Sequence, residues 1–229
     1  MIKPVEKSVY SQHFENLTSE YIEGAAAELE RPFEKFRTKH DLSILKKYLV
    51  PGNVLDFPIG TGRVYPSLIG EFEVYGKDIA PPYVTFAQER YPEIASHFTN
   101  GSFEDPGEPK EFFDNIYSLR VLNNVNDLHL AVVNTSKLLK SGGIWMFNLP
   151  PARVTDDLLH TLEVSGLELQ DLVSYDWVSS VKEMGRIEAG VRSRFIGLIK
   201  RGLVPFFLYK LIDGLMPRKG LSMLVVKKK

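Results

Sequence analysis

An acidic residue followed by two closely spaced glycines is the first feature of this chain that could do chemistry. The apolar pair Val54-Leu55 leads into Asp56, and a loop that contains Gly60 and Gly62 follows. Glycine lets the backbone approach a ligand without an intervening Cβ, and a helix that begins after such a loop offers unpaired N–H groups. The segment therefore predicts a ligand-binding loop at the end of a buried strand.

The residue types in this loop favour one class of ligand over another. In the G-x-G-x-x-G loop of dinucleotide-binding proteins, the third glycine would fall at Tyr65, which is too bulky for that contact. Asp56 would also meet a pyrophosphate with like charge in a partly desolvated site. An acid at this position suits a ligand that carries a cation, such as an α-ammonium group.

A second acid, Asp78, lies at the predicted carboxyl end of the next strand. A carboxylate at this place can accept the hydroxyl protons of a ribose. In this topological order, Asp56 and Asp78 favour an adenosine ligand with an amino-acid tail. Each acid could instead cap the helix that follows it.

The hydrophobic pattern predicts the elements that must position these residues. Helical spacing over 10–49 indicates two helices, of which the second begins at Pro32. From residue 53 onward, apolar strands alternate with helical stretches, as in βαβ units. The predicted strands are 53–57, 72–77, 96–101, 113–118, 142–149, 167–175 and 221–226, and the predicted helices are 62–69, 82–90, 127–139 and 153–164. We expect an α/β fold with a Rossmann-like, seven-stranded, mostly parallel sheet and helices on both faces.

The chain reads as one domain with four parts. A helical cap over 1–50 precedes a ligand-binding core over 51–176. Residues 177–219 depart from the alternation and are interpreted as a helical insertion that could form a substrate lid. The final strand and a basic tail occupy 220–229.

At these residues the sequence resembles the class I methyltransferases that depend on S-adenosylmethionine (SAM). Asp56–Gly62 looks like their first motif, usually Asp-x-Gly-x-Gly-x-Gly, and Asp78 matches their ribose-binding acid. Further resemblance lies, in order, in Asn100–Asp105, Phe113–Asn124 and Leu138–Gly143. The resemblance implies methyl transfer from SAM to a small molecule. The cofactor-binding residues that it implies are Asp56, Pro58, Gly60, Thr61, Gly62, Asp78, Ile79, Ser102, Phe103 and Arg120.

The sequence departs from the family pattern at two of these positions. Pro58 replaces the first glycine of the motif, which removes one N–H donor and fixes φ. Ser102 replaces an acid that often lies beside the adenine amino group, although a hydroxyl can still bond to that group. Phe103 could be ordinary core, and Arg120 could form a structural ion pair. A binding module without catalysis and an NAD(P)-dependent oxidoreductase are the alternative functions.

Composition narrows the choice of cofactors and partners. The net charge of −1 gives no reason to expect nucleic acid as a partner, and the absence of cysteine excludes disulfides, thiolate chemistry and Cys-ligated zinc. The five histidines have no metal-ligand spacing, so we expect no metal site. The N-terminal residues lack an apolar signal core, and a cytoplasmic location is expected.

The sequence assigns no catalytic residue and leaves the oligomeric state open. Candidate bases for a hydroxyl acceptor are Asn123, Asn124, Asp127, Tyr10, His13 and Tyr21. Between Lys182 and Lys219 the insertion carries nine Lys or Arg and three Asp or Glu among apolar residues. This pattern suits an anionic or lipid-linked acceptor, or contact of residues 195–216 with a membrane surface. A solvated basic face on an ordinarily packed segment is the alternative.

Overall fold

A computed structural model describes residues 17–107, 109–175, 194, 197–208 and 221–229. Most of the predicted insertion and the cap residues before Leu17 therefore lie outside the described residues.

A single seven-stranded sheet organises the described chain. Its strands are β1 (Asn53–Asp56), β2 (Glu73–Asp78), β3 (Phe98–Asn100), β4 (Phe113–Ser118), β5 (Leu139–Leu149), β6 (Leu167–Tyr175) and β7 (Leu221–Lys228). They lie in the order β3-β2-β1-β4-β5-β7-β6. Strands β1 to β5 are parallel, and β7 runs antiparallel between β5 and β6. The predicted seven-stranded, mostly parallel sheet is confirmed.

Five α-helices with both ends in the described residues accompany the sheet. They are α1 (Ser19–Glu28), α2 (Pro32–Tyr48), α3 (Pro81–Arg90), α4 (Leu128–Leu138) and α5 (Asp156–Val164). Pro32 and Pro81 occupy first helical positions, where a missing N–H costs nothing. Side chains of Thr18, Asp127 and Thr155 accept hydrogen bonds from the first turns of α1, α4 and α5.

Helices cover both faces of the sheet because successive strand residues point to opposite sides. On one face, Leu55 and Trp145 pack with residues of α4 and α5. On the other face, Val54 and Met146 pack with residues of α2 and α3, including Leu45. Helix α2 from the cap is thus part of the main core.

One predicted helix is absent from the described structure. The sequence pattern predicts a helix over 62–69, but only a short 3-10 turn forms, at Tyr65–Ser67. Gly62 adopts a φ of +62°, which a right-handed helix cannot include, and Gly70 at +93° ends the segment. The glycine loop is therefore followed by a compact turn that packs on the sheet.

Within the described parts of the chain, no helix has the length and apolar character that a membrane span requires. The described piece of the insertion, 197–208, packs against α2. The rings of Phe206 and Phe36 meet edge to face at 5.4 Å between centroids.

Candidate functional site

A cleft of about 210 Å³ lies at the carboxyl ends of the parallel strands. Strands β2 and β3 lie on one side of β1, and β4 and β5 lie on its other side. The strand order therefore reverses between β1 and β4. Ligands of open α/β sheets bind at such a switch point. The cleft wall consists of residues at the ends of β1 to β4 and in the segments that follow these strands: Phe57, Pro58, Gly60, Asp78, Ile79, Tyr83, Gly101, Ser102, Phe103, Glu104, Leu119, Arg120, Val121, Asn124 and Val125.

The structure brings seven of the ten predicted cofactor residues to this wall. They are Pro58, Gly60, Asp78, Ile79, Ser102, Phe103 and Arg120. The other three, Asp56, Thr61 and Gly62, lie next to it in the same strand and loop but do not line it.

Asp78 holds the glycine loop at the end of β2. Its Oδ2 accepts a hydrogen bond from the Gly60 N–H at 2.9 Å, and its Oδ1 accepts one from the Ala80 N–H at 2.9 Å. Burial raises the pKa of Asp78 to about 6, although the N–H groups of Ala80 and Gly60 lower it in part. A carboxylate oxygen has more than one lone pair, so each oxygen can accept a further hydrogen bond from a ligand hydroxyl.

The glycine loop has a left-handed backbone at Gly60 and Gly62, and the space beside Gly60 is open, as the two glycines predict. Gly60 has a φ of +51°, and no atom lies within 4 Å of the place where a Cβ would be. At Gly62 a Cβ would come within 2.9 Å of the Tyr65 ring. Tyr65, at the third-glycine position of the dinucleotide pattern, thus packs beneath this loop.

Asp56 lies behind the loop and is almost completely buried, with 5% of its surface exposed. Burial raises its pKa well above the usual range, and the Tyr117 hydroxyl and the charge of Arg63 lower it in part. The hydroxyl groups of Tyr65 and Tyr117 are buried beside Asp56. Among the described residues, neither hydroxyl has a partner that meets the distance and angle of a hydrogen bond. Asp56 is therefore a buried carboxylate among phenols, one layer below the cleft surface.

The loop after β3 forms an aromatic and polar wall. Phe103 stacks on Phe57 with 4.1 Å between ring centroids and 21° between planes. The Ser102 Oγ accepts a hydrogen bond from the Asp105 N–H at 3.0 Å. Asn134 of α4 donates to the carbonyl oxygens of Phe103 and Glu104, at 3.2 and 2.8 Å. Asn134 was not predicted as a site residue, because nothing in the sequence distinguishes it from the other polar residues of α4.

Arg120 lies on the opposite wall, beyond β4, and is fixed at both ends. Its backbone has a φ of +60°, and its N–H donates to the Asn148 Oδ1 at 2.5 Å. Its guanidinium donates two hydrogen bonds to the Asp41 carboxylate, at 2.9 and 3.0 Å. The Arg63 guanidinium contacts the same carboxylate. Arg120 therefore forms the ion pair that the sequence left open and also lines the cleft.

Asp41 and Asn148 are further residues of this site that were not predicted from the sequence. Asp41 is fully buried in α2, and Asn148 is buried near the end of β5. A single Asp inside an amphipathic helix gives no signal that distinguishes it from a surface acid. Asn148 follows four consecutive apolar residues of β5, and a polar residue after such a run is the one signal that the sequence offers.

The structure places the candidate bases in different surroundings. Asn124 lines the cleft. The Asn123 side chain and carbonyl accept hydrogen bonds from Arg153, and Asp127 caps α4. Tyr21 is 52% exposed on α1, and Tyr10 and His13 lie outside the described residues. In the described ranges, no three His, Cys, Asp or Glu side chains are grouped to hold a metal ion.

Comparisons with known proteins match this architecture. Residues 55–147 match a family model described as a methyltransferase domain. No curated protein matches the sequence significantly. Because the matched segment begins inside β1 and ends inside β5, it contains the cleft-forming loops described above.

Three solved structures are similar in fold. A TehB-like SAM-dependent methyltransferase from Corynebacterium glutamicum has a TM-score of 0.59 and 19% identity, over 92% of this chain and 98% of that one. A putative methyltransferase from Haloferax volcanii, in complex with the Trm112 methyltransferase activator, has a TM-score of 0.61 and 15% identity, over 97% and 99%. The N-methyltransferase NodS from Bradyrhizobium japonicum, with S-adenosylhomocysteine (SAH), has a TM-score of 0.56 and 15% identity, over 92% and 97%.

The match over residues 55–147 and the strand order support a class I SAM-dependent methyltransferase, with SAM as its cofactor. This confirms the family and the cofactor that the sequence predicts. The match does not support the oxidoreductase alternative.

Proposed function

We propose that this methyltransferase binds SAM in the cleft at the ends of β1 to β4 and transfers its methyl group to an oxygen or nitrogen of a small molecule. The observation that carries the placement is Asp78, a cleft-lining carboxylate that already holds the Gly60 N–H at the end of β2. Its oxygens would accept the two ribose hydroxyl protons.

The strand order supports one orientation of the cofactor. Strand β3 lies beside β2 on the side away from β1, and β4 lies on the other side of β1. A ribose on Asp78 therefore has its adenine toward Ser102 and Phe103 and its amino-acid tail toward Arg120. We call Asp78, Ser102 and Phe103 the adenosine end of the cleft. We call Arg120 the tail end, together with its partner Asp41 and with Arg63, which contacts the same Asp41 carboxylate.

The loop residues have separate parts in this proposal. Pro58 and Gly60 provide the floor on which the cofactor lies, and Ile79 lies beside the adenosine. Thr61 and Gly62 shape the loop without lining the cleft. Asp56 supports the loop from below, because its burial and the phenols around it separate its carboxylate from the cleft surface.

Methyl transfer is an in-line displacement in which an acceptor lone pair attacks the methyl carbon. The carbon–sulfur bond breaks, SAH leaves, and the acceptor proton passes to solvent or to a base. The protein must mainly hold the two reactants in line at near-attack distance. A neutral amine acceptor needs little further help, whereas a hydroxyl acceptor benefits from a base. The apolar residues Leu119, Val121 and Val125, together with Asn124, form the wall beside the tail end.

Within the small-molecule class, we favour a saccharide or a lipid-linked precursor as the acceptor. The support is the described part of the insertion, which packs on α2 but leaves Leu203 and Phe207 63% and 73% exposed. Exposed apolar side chains beside basic ones suit a lipid chain or a membrane surface. Co-sedimentation with vesicles of anionic phospholipid tests the surface contact, and no binding would contradict it. The expected cytoplasmic location stays a prediction.

Calorimetry with SAM, SAH and NAD⁺ tests the cofactor site. We expect SAM and SAH to bind and NAD⁺ not to bind. Asp78→Asn should weaken SAH binding, whereas Glu73→Gln, at the exposed start of the same strand, should not. Loss of SAH binding in neither variant, or in both, would contradict the placement on Asp78. Methyl transfer from labelled SAM to fractions of small metabolites then identifies the acceptor.

A further inference from the structure

A carboxylate of the cap helix holds two arginines beside the cleft. Asp41 of α2 has no exposed surface, and its two oxygens accept two hydrogen bonds from the Arg120 guanidinium. The Arg63 guanidinium contacts the Oδ2 of the same carboxylate. Arg63 follows the glycine loop and Arg120 follows β4, so one buried acid joins three separate segments of the chain.

The backbone of Arg120 indicates that this arrangement is maintained against a local cost. A φ of +60° is unfavourable for any residue with a Cβ, by about 1–2 kcal/mol. Such residues persist where the surroundings fix them, and they are frequent in functional sites. At Arg120 the fixing groups are the Asn148 Oδ1 on the backbone and the Asp41 carboxylate on the side chain.

The charges around the tail end suit the tail that the proposed function directs there. The cofactor tail carries a carboxylate. Arg120 lines the cleft, whereas Arg63 contacts the same Asp41 carboxylate without lining it. The two guanidinium groups repel each other, and the negative charge of Asp41 offsets that repulsion. A guanidinium has five N–H donors in a rigid fork, so one group can bind Asp41 and a ligand carboxylate together.

We infer that Asp41 is a positioning residue for the cofactor tail: it fixes the guanidinium group of Arg120 so that this group receives the cofactor carboxylate, and Arg63 binds the same Asp41 carboxylate. The inference rests on the proposed function, because it requires the adenosine to lie on Asp78. It assigns to the cap helix a part in cofactor selection, through a residue that does not itself line the cleft.

The experiment compares two ligands that differ only in the tail. SAH carries the amino-acid carboxylate, whereas 5′-deoxy-5′-methylthioadenosine (MTA) has the same adenosine and no amino-acid group. Asp41→Asn keeps the size of the side chain and removes its charge. In calorimetry on the full chain, we expect this variant to lose about ten- to a hundredfold in SAH affinity, roughly what one hydrogen bond to a charged group contributes, and to bind MTA within about twofold of wild type.

Glu28→Gln is the matched control. Glu28 lies on α1 of the same cap, is exposed, and pairs with Arg31. Its loss removes one negative charge from the cap without touching Arg63 or Arg120, and the ratio of SAH to MTA affinity should stay at the wild-type value. Unfolding by urea shows whether each variant is folded.

If Asp41→Asn does not fold, Arg63→Gln and Arg120→Gln replace it, because each leaves Asp41 with the other arginine. Both should lower SAH affinity and spare MTA. Equal loss of both ligands would show a purely structural role and overturn the inference, as would unchanged or increased SAH affinity. If neither ligand binds to the wild-type protein, the proposed function itself fails, which is a separate outcome.

Discussion

At the adenosine end of the cleft, a carboxylate binds backbone N–H groups of its own and the neighbouring loop, whereas at the tail end a carboxylate binds side chains from distant segments. Asp78 accepts from Ala80, two residues away, and from Gly60 of the adjacent strand–loop unit. Asp41 instead binds Arg120, which is 79 residues away. The first arrangement follows from the path of the chain at the strand ends, and the second exists only after α2 has packed on the sheet.

Under the proposed placement of the cofactor, this difference has a consequence for the ligand. Backbone donors and strand-end acids would recognise the part of the cofactor that many nucleosides share. The charged network of the tail end would recognise the part that distinguishes SAM from other nucleosides. Four changes separate the two ends by experiment.

The largest effect is expected at Asp78. Asp78→Asn removes charge-assisted hydrogen bonds to two ribose hydroxyls, each contributing about 1.5–3 kcal/mol, so affinity should fall about a hundredfold or more. Because SAH and MTA share the ribose, both should lose affinity equally, as calorimetry can measure. A loss confined to SAH would remove the distinction between the two ends.

The next effect concerns the packing beneath the adenosine end. Gly76→Ala in β2 would place a Cβ 2.6 Å from Ile59 and 2.7 Å from the Tyr65 hydroxyl. Overpacking of this kind costs about 1–3 kcal/mol in the free energy of unfolding. The control is Gly24→Ala in α1, where no atom lies within 4 Å of the new Cβ, and where alanine should stabilise the helix by up to about 1 kcal/mol. Urea unfolding of both variants measures the difference, and equal stability would contradict the packing argument.

Asn148→Ala tests the backbone support of Arg120. The Arg120 N–H would lose its buried acceptor, which costs about 1–3 kcal/mol of stability when no replacement forms. Because the affected residue belongs to the tail end, SAH affinity should fall more than MTA affinity. A variant with wild-type stability and wild-type binding of both ligands would show that Asn148 does not hold Arg120.

The smallest effect is the pH dependence of cofactor binding. The raised pKa of Asp78, about 6, means that its carboxylate gains a proton as the pH falls through this value. The protonated form accepts fewer ribose protons, so SAH affinity should be constant above pH 7 and fall by roughly tenfold toward pH 5. In Asp78→Asn, SAH affinity should not change over this pH range. In Asp41→Asn, SAH affinity should be lower at every pH but should still fall at the same pH as in the wild-type protein.

The raised pKa of Asp78 changes folding stability with pH in the direction opposite to its effect on cofactor affinity. Because Asp78 binds its proton more tightly in the folded protein than in the unfolded chain, its contribution to stability increases as the pH falls from about 6 toward the unfolded value near 3.8. Weaker binding at low pH can therefore be separated from unfolding by this group, since the two effects run in opposite directions.

The amino-acid sequence by itself determined the sheet, the glycine loop and the acid at the end of β2. Strand periodicity and glycine content are local properties, and parallel strands bring their carboxyl ends to one edge of the sheet. It did not determine the turn after Gly62, where a helical pattern of side chains was overridden by left-handed backbone at a glycine. Only the tertiary structure decided that Asp41 would join Arg63 and Arg120 and that Asp56 would lie below the cleft. Such side-chain pairings depend on how α2 packs against the sheet, and residues 79 positions apart leave no pattern in the chain that would show them to be partners.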